Sequence, residues 1–438
     1  MGSYASPKTF ALKFSCASDW SVSTNFLSLI NRCKWEVRPL SRVSKLRNEI
    51  AIEEEIKSSA ILLLDRISFE DGKIHAGSRI STKMKQFKSY KGDIVVSKIN
   101  ARKGAIGIVE SDKPIGVTVH FRVLIPDEDV VNRLFLWLAL RGKFCRNQFE
   151  IATGGQGKGE ISEERLMDIN VPFPPLPIQE TIVENWLRAN QAVSLLDTEK
   201  KSIVENLNSI LQQMTKGYFE LKNSRFIIAD FSKSTQWDVK SGRSAVFRSL
   251  NPDFVRLGDF SKECSEKINP WEDPEKDWPI YGVNNDEGVF FNCYQKGEEF
   301  NAAYKKIQKN WFFHNPTRAN VGSLGIVPDV PDDAITSPEY QVWKLNGGYL
   351  PEFMALVLKT DYFLTLVEFN RVGGVKQRMY YANLAEIRLP LLDMNIQMQF
   401  ADEWKNILLE LRKTEQKQIK SHVEIEEMIL GIRPVERI

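Results

Sequence analysis

The sequence predicts an α+β protein built twice over, with two globular parts of mixed strands and helices, each followed by one long helix. Three observations carry that expectation. The chain matches itself at a shift of 218 residues, short β-rich runs broken by turn residues fill the first part of each copy, and a three-four apolar spacing runs through the second part. The copies account for essentially all of the 438 residues, a length that one hydrophobic core does not usually serve. The expected segments are a first globular domain at 1–177, a long helix at 178–216, a second globular domain at 217–395 and a second long helix at 396–438, related by a pseudo-two-fold.

The repeat is read from identities at one offset. Gly104, Gly107, Ile108 and Val109 fall on Gly322, Gly325, Ile326 and Val327, and Phe135, Leu138 and Leu140 on Phe353, Leu356 and Leu358. The register then holds through Glu150 and Glu368, Gly155 and Gly373, Pro172 and Pro390, Gln179 and Gln397, and Trp186 and Trp404. Within the globular parts, Asp93 to Ile99, Gly107 to Val109 and Val342 to Leu345 read as strands, and Leu134 to Phe144 and Glu352 to Tyr362 as helices. Pro172, Pro174, Pro175 and Pro177 mark an extended segment before the next element.

Beyond Pro177 the apolar period changes. Ile182, Trp186, Ala189, Val193, Leu196, Lys200, Ile203, Leu207, Ile210 and Met214 recur at alternating steps of four and three, as on a coiled-coil seam. The shifted counterparts are Phe400, Trp404, Ile407, Leu411, Thr414, Gln418, Ser421, Ile425, Met428 and Ile432, with a polar middle in both copies. Such helices need apolar partners. Pairing with each other would satisfy them, and so would packing of each on its own globular part; the pattern leaves both open.

Composition sets the class. With 42% hydrophobic and 26% charged residues, the chain is able to bury large cores. Its longest strongly apolar run, Leu134 to Leu140, is far short of the roughly 20 residues that cross a bilayer. No charged-then-apolar segment opens the sequence, so a cytoplasmic location without a membrane is expected. Cys16, Cys33, Cys145, Cys264 and Cys293 are scattered and read as reduced thiols, and His75, His120, His314 and His422 show no metal-ligand spacing.

Catalytic signatures fail on spacing. In Thr153-Gly154-Gly155-Gln156-Gly157-Lys158-Gly159 the lysine is followed by Gly rather than Ser or Thr, and Ala152 stands where a phosphate-binding loop needs its first Gly. No strand leads into G-x-G-x-x-G, and the short Pro-Pro-aromatic loop of DNA amino-methyltransferases is missing. No catalytic residue, metal ligand or cofactor is assigned to the chain.

What remains is a binding signal. Lys83, Lys85, Lys88 and Lys91, then Lys98, Asn100, Arg102 and Lys103, form a basic and polar stretch with Phe87 and Tyr90 interleaved; Lys158 follows in the glycine-rich segment. The second copy has Tyr304, Lys305, Lys306 and Lys309, then Arg318 and Asn320, then Arg371, Lys376, Gln377 and Arg378 near Gly373-Gly374. Lys and Arg neutralise phosphates, while Arg, Asn and Gln make bidentate contacts with base edges. The candidates for DNA contact are Lys98, Asn100, Arg102, Lys103, Lys158, Arg318, Asn320, Arg371, Lys376 and Arg378. Lysine-rich loops are also common on proteins that touch no nucleic acid, and a net charge of +2 decides nothing.

A resemblance enters here. Gly92-Asp93-Ile94-Val95-Val96-Ser97, Gly104-Ala105-Ile106-Gly107-Ile108-Val109, Thr153-Gly154-Gly155 and Ile169-Asn170-Val171-Pro172-Phe173-Pro174-Pro175-Leu176-Pro177-Ile178-Gln179 together resemble the specificity subunit of type I restriction-modification enzymes. The second copy is similar but departs from the Pro-rich form at Leu389-Pro390-Leu391-Leu392-Asp393-Met394. The resemblance implies two target recognition domains, each reading one half of a split, asymmetric double-stranded DNA site, held apart by two antiparallel helices that act as a ruler. It also implies two methyltransferase subunits as partners, which would hold S-adenosylmethionine, and motor-nuclease subunits in the full complex. A stand-alone DNA-modifying or nuclease enzyme with an unrecognised site, and a coiled-coil adaptor that binds protein instead of DNA, are the alternatives.

Overall fold

The computed structural model describes residues 33–78, 82–153, 159–230, 232, 239–373 and 376–436. The chain divides into two compact units, Met1–Val193 with Thr414–Ile438, and Ser194–Lys413.

The first unit holds two four-stranded sheets. One has the order β2 (Ser44–Arg47), β9 (Phe121–Pro126), β6 (Ile94–Ser97) and β7 (Ile106–Ile108), all antiparallel. The apolar run of β6 is buried along its whole length, as a central strand covered on both faces requires. The other sheet has the order β4 (Ile74–Gly77), β3 (Leu62–Ile67), β8 (Ile115–Thr118) and β5 (Gln86–Ser89), with β3 and β8 parallel. A two-stranded ribbon pairs β1 (Val37–Pro39) with β10 (Asn170–Pro172), just ahead of the long helix.

The second unit repeats this plan. One sheet has the order β12 (Ser261–Glu263), β20 (Gln341–Leu345), β17 (Phe312–His314) and β18 (Leu324–Ile326). The other runs β15 (Gly288–Lys296), β14 (Asp277–Asn284), β19 (Ile335–Thr336), β16 (Tyr304–Lys306) and β13 (Lys267–Ile268), with β14 and β19 parallel and one strand more than its counterpart. The ribbon is β11 (Val255–Arg256) with β21 (Arg388–Leu389).

The helices expected over Leu134 to Phe144 and Glu352 to Tyr362 each break in two. In the first unit, α2 (Arg133–Arg141) and α3 (Lys143–Ala152) are separated by Gly142, whose extended backbone ends one helix and starts the next. In the second, α8 (Pro351–Val357) gives way to α9 (Asp361–Asn370), where the Thr360 side chain accepts the Phe363 N–H.

The long helices are α5 (Leu176–Met214) and α11 (Met394–Ile429). Helix α5 begins inside the Pro-rich segment, because Pro177 sits in its first turn, where no intrahelical N–H is needed. Both ways of covering the apolar stripes are used at once. In the first unit Ile182, Val183, Ile425, Met428 and Ile429 share one core with Phe135, Leu136 and Leu140; in the second, Leu207, Leu211, Phe400, Trp404 and Ile407 share one with Phe353 and Leu356. The first-unit contacts run antiparallel, with Asn185 beside Met428 and Asn190 bonded to Gln418 at 3.0 Å. Trp186, Val193, Leu196 and Ile203 are half-buried, and Leu411 is buried. Two seam positions fail: Met214 at the end of α5 is 46% exposed, and Ile432, past the end of α11, is 45% exposed.

Each long helix is fastened at its start by one buried glutamine. Gln179 accepts the Asn132 N–H at 2.8 Å and donates to the Pro174 carbonyl at 2.8 Å. Its repeat equivalent, Gln397, accepts the Leu350 N–H at 2.9 Å and donates to the Leu392 carbonyl at 3.0 Å. Among the described residues no helix is long and apolar enough to cross a membrane.

Candidate nucleic-acid interface

In each unit the site is built on a turn between two strands. In the first, β6 leads through the 3-10 turn Ala101–Lys103 into β7, and Gly104 closes the turn at φ 98°. In the second, β17 leads through Ala319–Val321 into β18, closed by Gly322 at φ 89°. That left-handed backbone is where glycine costs least. The Lys103 and Gly104 N–H groups are taken by the carbonyls of Asn100 and Ala101, and those of Val321 and Gly322 by Arg318 and Ala319. Asn100, Arg102 and Lys103 therefore ride on a turn whose backbone supplies its own bonds, as do Arg318 and Asn320.

Further segments lie against each turn. In the first unit the Lys98 N–H bonds the His120 carbonyl at 2.9 Å and the Ile161 N–H bonds the Lys98 carbonyl at 3.0 Å, bringing the β8–β9 connection and the segment after Gly159 to the turn. In the second unit the Met379 N–H bonds the Pro316 carbonyl at 2.8 Å. Ile161 to Lys98 and Met379 to Pro316 are the same bond at the 218-residue offset. The second unit adds buried His314, whose Nε2 is 2.8 Å from the Met379 carbonyl and therefore donates to it; burial pushes the imidazole down to about 4, so it stays neutral.

The candidates divide on inspection. Lys103, Arg318, Lys376 and Arg378 are exposed; Asn100, Arg102 and Asn320 are half-buried. Lys98 is held by the Glu160 carboxylate at 2.6 Å, and Glu160 also takes His120 Nδ1 at 2.5 Å. The Lys98 bond, then that of His120, holds the Glu160 carboxyl below its usual range, so it remains an acceptor. Arg371, with its side chain 10% exposed, bonds Glu368 at 3.0 Å and the Gln377 carbonyl at 2.9 Å, and so also serves as a brace. Lys158, with Gly154 and Gly155, lies outside the described residues, as does Gly374.

Much of the basic stretch is neutralised away from the turns. Lys88 on β5 is paired with Glu49 and Glu55, Lys91 with Asp112, Lys306 with Glu266 and Lys309 with Asp329; Lys305 is 8% exposed and donates to the Tyr340 carbonyl. Sequence reasoning missed Glu160, His120 and Tyr380, and the only signal for Glu160 was its repeat position opposite Arg378. Among the described residues no group of three His, Cys, Asp or Glu side chains is placed to hold a metal ion, and Cys33, Cys145, Cys264 and Cys293 are free thiols.

Residues 34–204 match the family model of the type I restriction modification DNA specificity domain. That match contains the first unit's turn, its neighbouring segments and the opening of α5. Three solved structures are similar to the chain. The type I S subunit from M. genitalium is 15% identical, with 92% of this chain and 97% of that one covered at a TM-score of 0.45. The HsdS subunit from Thermoanaerobacter tengcongensis is 14% identical over 91% and 95%, with a TM-score of 0.31. A chain from a study of complex assembly and conformational transition in a type I R-M system is 13% identical over 91% and 96%, with a TM-score of 0.40. No curated protein matches the sequence.

Proposed function

We propose that this specificity subunit reads a split, asymmetric site on double-stranded DNA, one half-site per unit, and confers that choice on partner subunits without catalysing the reaction itself. The observation that supports it is the repeated site: the same turn meets the same following segment through equivalent backbone bonds, while the side chains presented there differ. Asn100, Arg102 and Lys103 in one unit stand where Arg318, Asn320 and Val321 stand in the other. Equal frames with unequal donors and acceptors suit two unlike half-sites, since sequence is read from base edges while phosphate contacts only position the protein. In this reading the length of α5 and α11 sets the gap between half-sites. The methyltransferase subunits hold S-adenosylmethionine and carry out methyl transfer, and motor-nuclease subunits complete a restriction complex.

The test is single-molecule methylation mapping of DNA from cells that express this chain with its methyltransferase subunit. A split motif methylated on both strands supports the reading, and exchanging one unit should exchange one half of the motif. A demonstrated complex that adds no methylated motif would overturn it in favour of an adaptor role.

A further inference from the structure

Glu160 and Arg378 occupy equivalent places and carry opposite charge. Each directly precedes the residue whose N–H closes the segment onto its turn, Ile161 onto Lys98 and Met379 onto Pro316. Each is anchored. Glu160, with its side chain 34% exposed, is gripped by Lys98 at 2.6 Å and His120 at 2.5 Å. Arg378 has its backbone paired both ways with Val372, at 2.8 and 2.9 Å, and its guanidinium rests 3.1 Å from the Tyr380 hydroxyl.

A carboxylate on a surface that meets DNA cannot serve the backbone, because phosphates repel it. The groups it can engage are donors, and the base-edge donor that pairs with Glu in the major groove is the cytosine N4 amino group. Lys98 and His120 each occupy one carboxylate oxygen, and a carboxylate oxygen has a second lone pair to offer. The Lys98 ammonium also offsets its charge, which lowers the repulsion from nearby phosphates. An exposed arginine at the equivalent place has the opposite chemistry, a planar fork that matches guanine N7 and O6.

We propose that Glu160 and Arg378 are twin specificity-determining residues, Glu160 reading a cytosine amino group in the first unit's half-site and Arg378 reading a guanine in the second unit's half-site. This rests on the DNA-specificity reading given above. Lys98 and His120 are positioning residues for Glu160, and Tyr380 is one for Arg378.

Methylation mapping with the wild-type chain, Glu160→Gln and Arg378→Gln, each with its methyltransferase subunit, tests it. Glu160→Gln should relax one C·G position in one half-site, and Arg378→Gln one G·C position in the other, with discrimination at that position falling about tenfold or more. The remaining positions and the gap should stay as in the wild type, and this unchanged half serves as the control for folding and assembly. A wild-type motif that either variant leaves unaltered overturns the proposal, as does relaxation in both half-sites or loss of all methylation. A wild-type chain that yields no split motif removes the specificity reading itself, which separates the two failures.

Discussion

Replacing Gln179 by Leu should destabilise the first unit far more than its single position suggests. The side chain is 1% exposed and joins two backbone groups, the Asn132 N–H and the Pro174 carbonyl, each at 2.8 Å. Asn132 in turn caps α2, its Oδ1 accepting the Leu134 and Phe135 N–H groups. Leucine fills nearly the same volume but leaves both backbone groups without a partner. Each orphaned group costs about 1–3 kcal/mol, and the added apolar burial returns about 1 kcal/mol. The net loss is about 1–5 kcal/mol, which for a unit of this size lowers its Tm by about 2–20 °C. Differential scanning calorimetry should show the first unit's transition fall for Gln179→Leu and the second unit's for Gln397→Leu. A Tm within 1 °C of wild type for Gln179→Leu would show that the paired bonds do not fasten the helix, and would refute the reasoning.

Gly104→Ala and Gly322→Ala incur the same left-handed strain, yet the new Cβ of the first meets the Phe69 backbone carbonyl at 2.7 Å and that of the second the Asn285 side-chain oxygen at 2.1 Å. A side chain can rotate away and a backbone cannot, so chemical denaturation should show Gly104→Ala costing about 1 kcal/mol more than Gly322→Ala; equal costs would contradict this. His314 is pushed down to about 4 in the folded protein, whereas the unfolded chain takes up its proton near pH 6.5. Stability should therefore be unaffected by this group above about pH 6.5 and should fall as pH drops from 6.5 toward 4, by up to roughly 3 kcal/mol; His314→Phe should flatten that fall, and an unchanged pH profile would refute the assignment. Adding four residues to both long helices, near Lys200 and Gln418, should change the number of base pairs between the methylated half-sites and leave both half-sites intact, and an unchanged gap would remove the ruler role.

The fold was readable because its signals are periodic. A 218-residue repeat, the buried run of β6 and the three-four stripe of α5 are set by spacing, and spacing is visible in one sequence. The breaks at Gly142 and Thr360 were not, because the apolar pattern continues through them and only capping interrupts the helix. The site was half legible. Arg318, Lys376 and Arg378 are surface groups, but Arg371 carries the same charge and also serves as a brace on Glu368 and the Gln377 carbonyl. Lys88, Lys91, Lys306 and Lys309 are matched by acids 20 to 40 residues away, which a linear reading of charge cannot see. Gln179 and Gln397 were visible as an identity in the repeat, while the two bonds that each makes became apparent only in three dimensions.

The turn at Asn100 to Gly104 and its counterpart at Arg318 to Gly322 are closed by main-chain bonds and a glycine, and the segments beside them attach through the amides of Ile161 and Met379. Those bonds ignore what the neighbouring side chains are. Substitutions at Asn100, Arg102, Lys103, Arg318 or Asn320 alter what the turn presents while the frame beneath keeps the same fastening, so such positions can drift under selection at little thermodynamic penalty. On the function proposed above, a lineage built this way would acquire a new target by point changes at a few surface positions, or by recombining one half with another, without first having to reinvent its architecture.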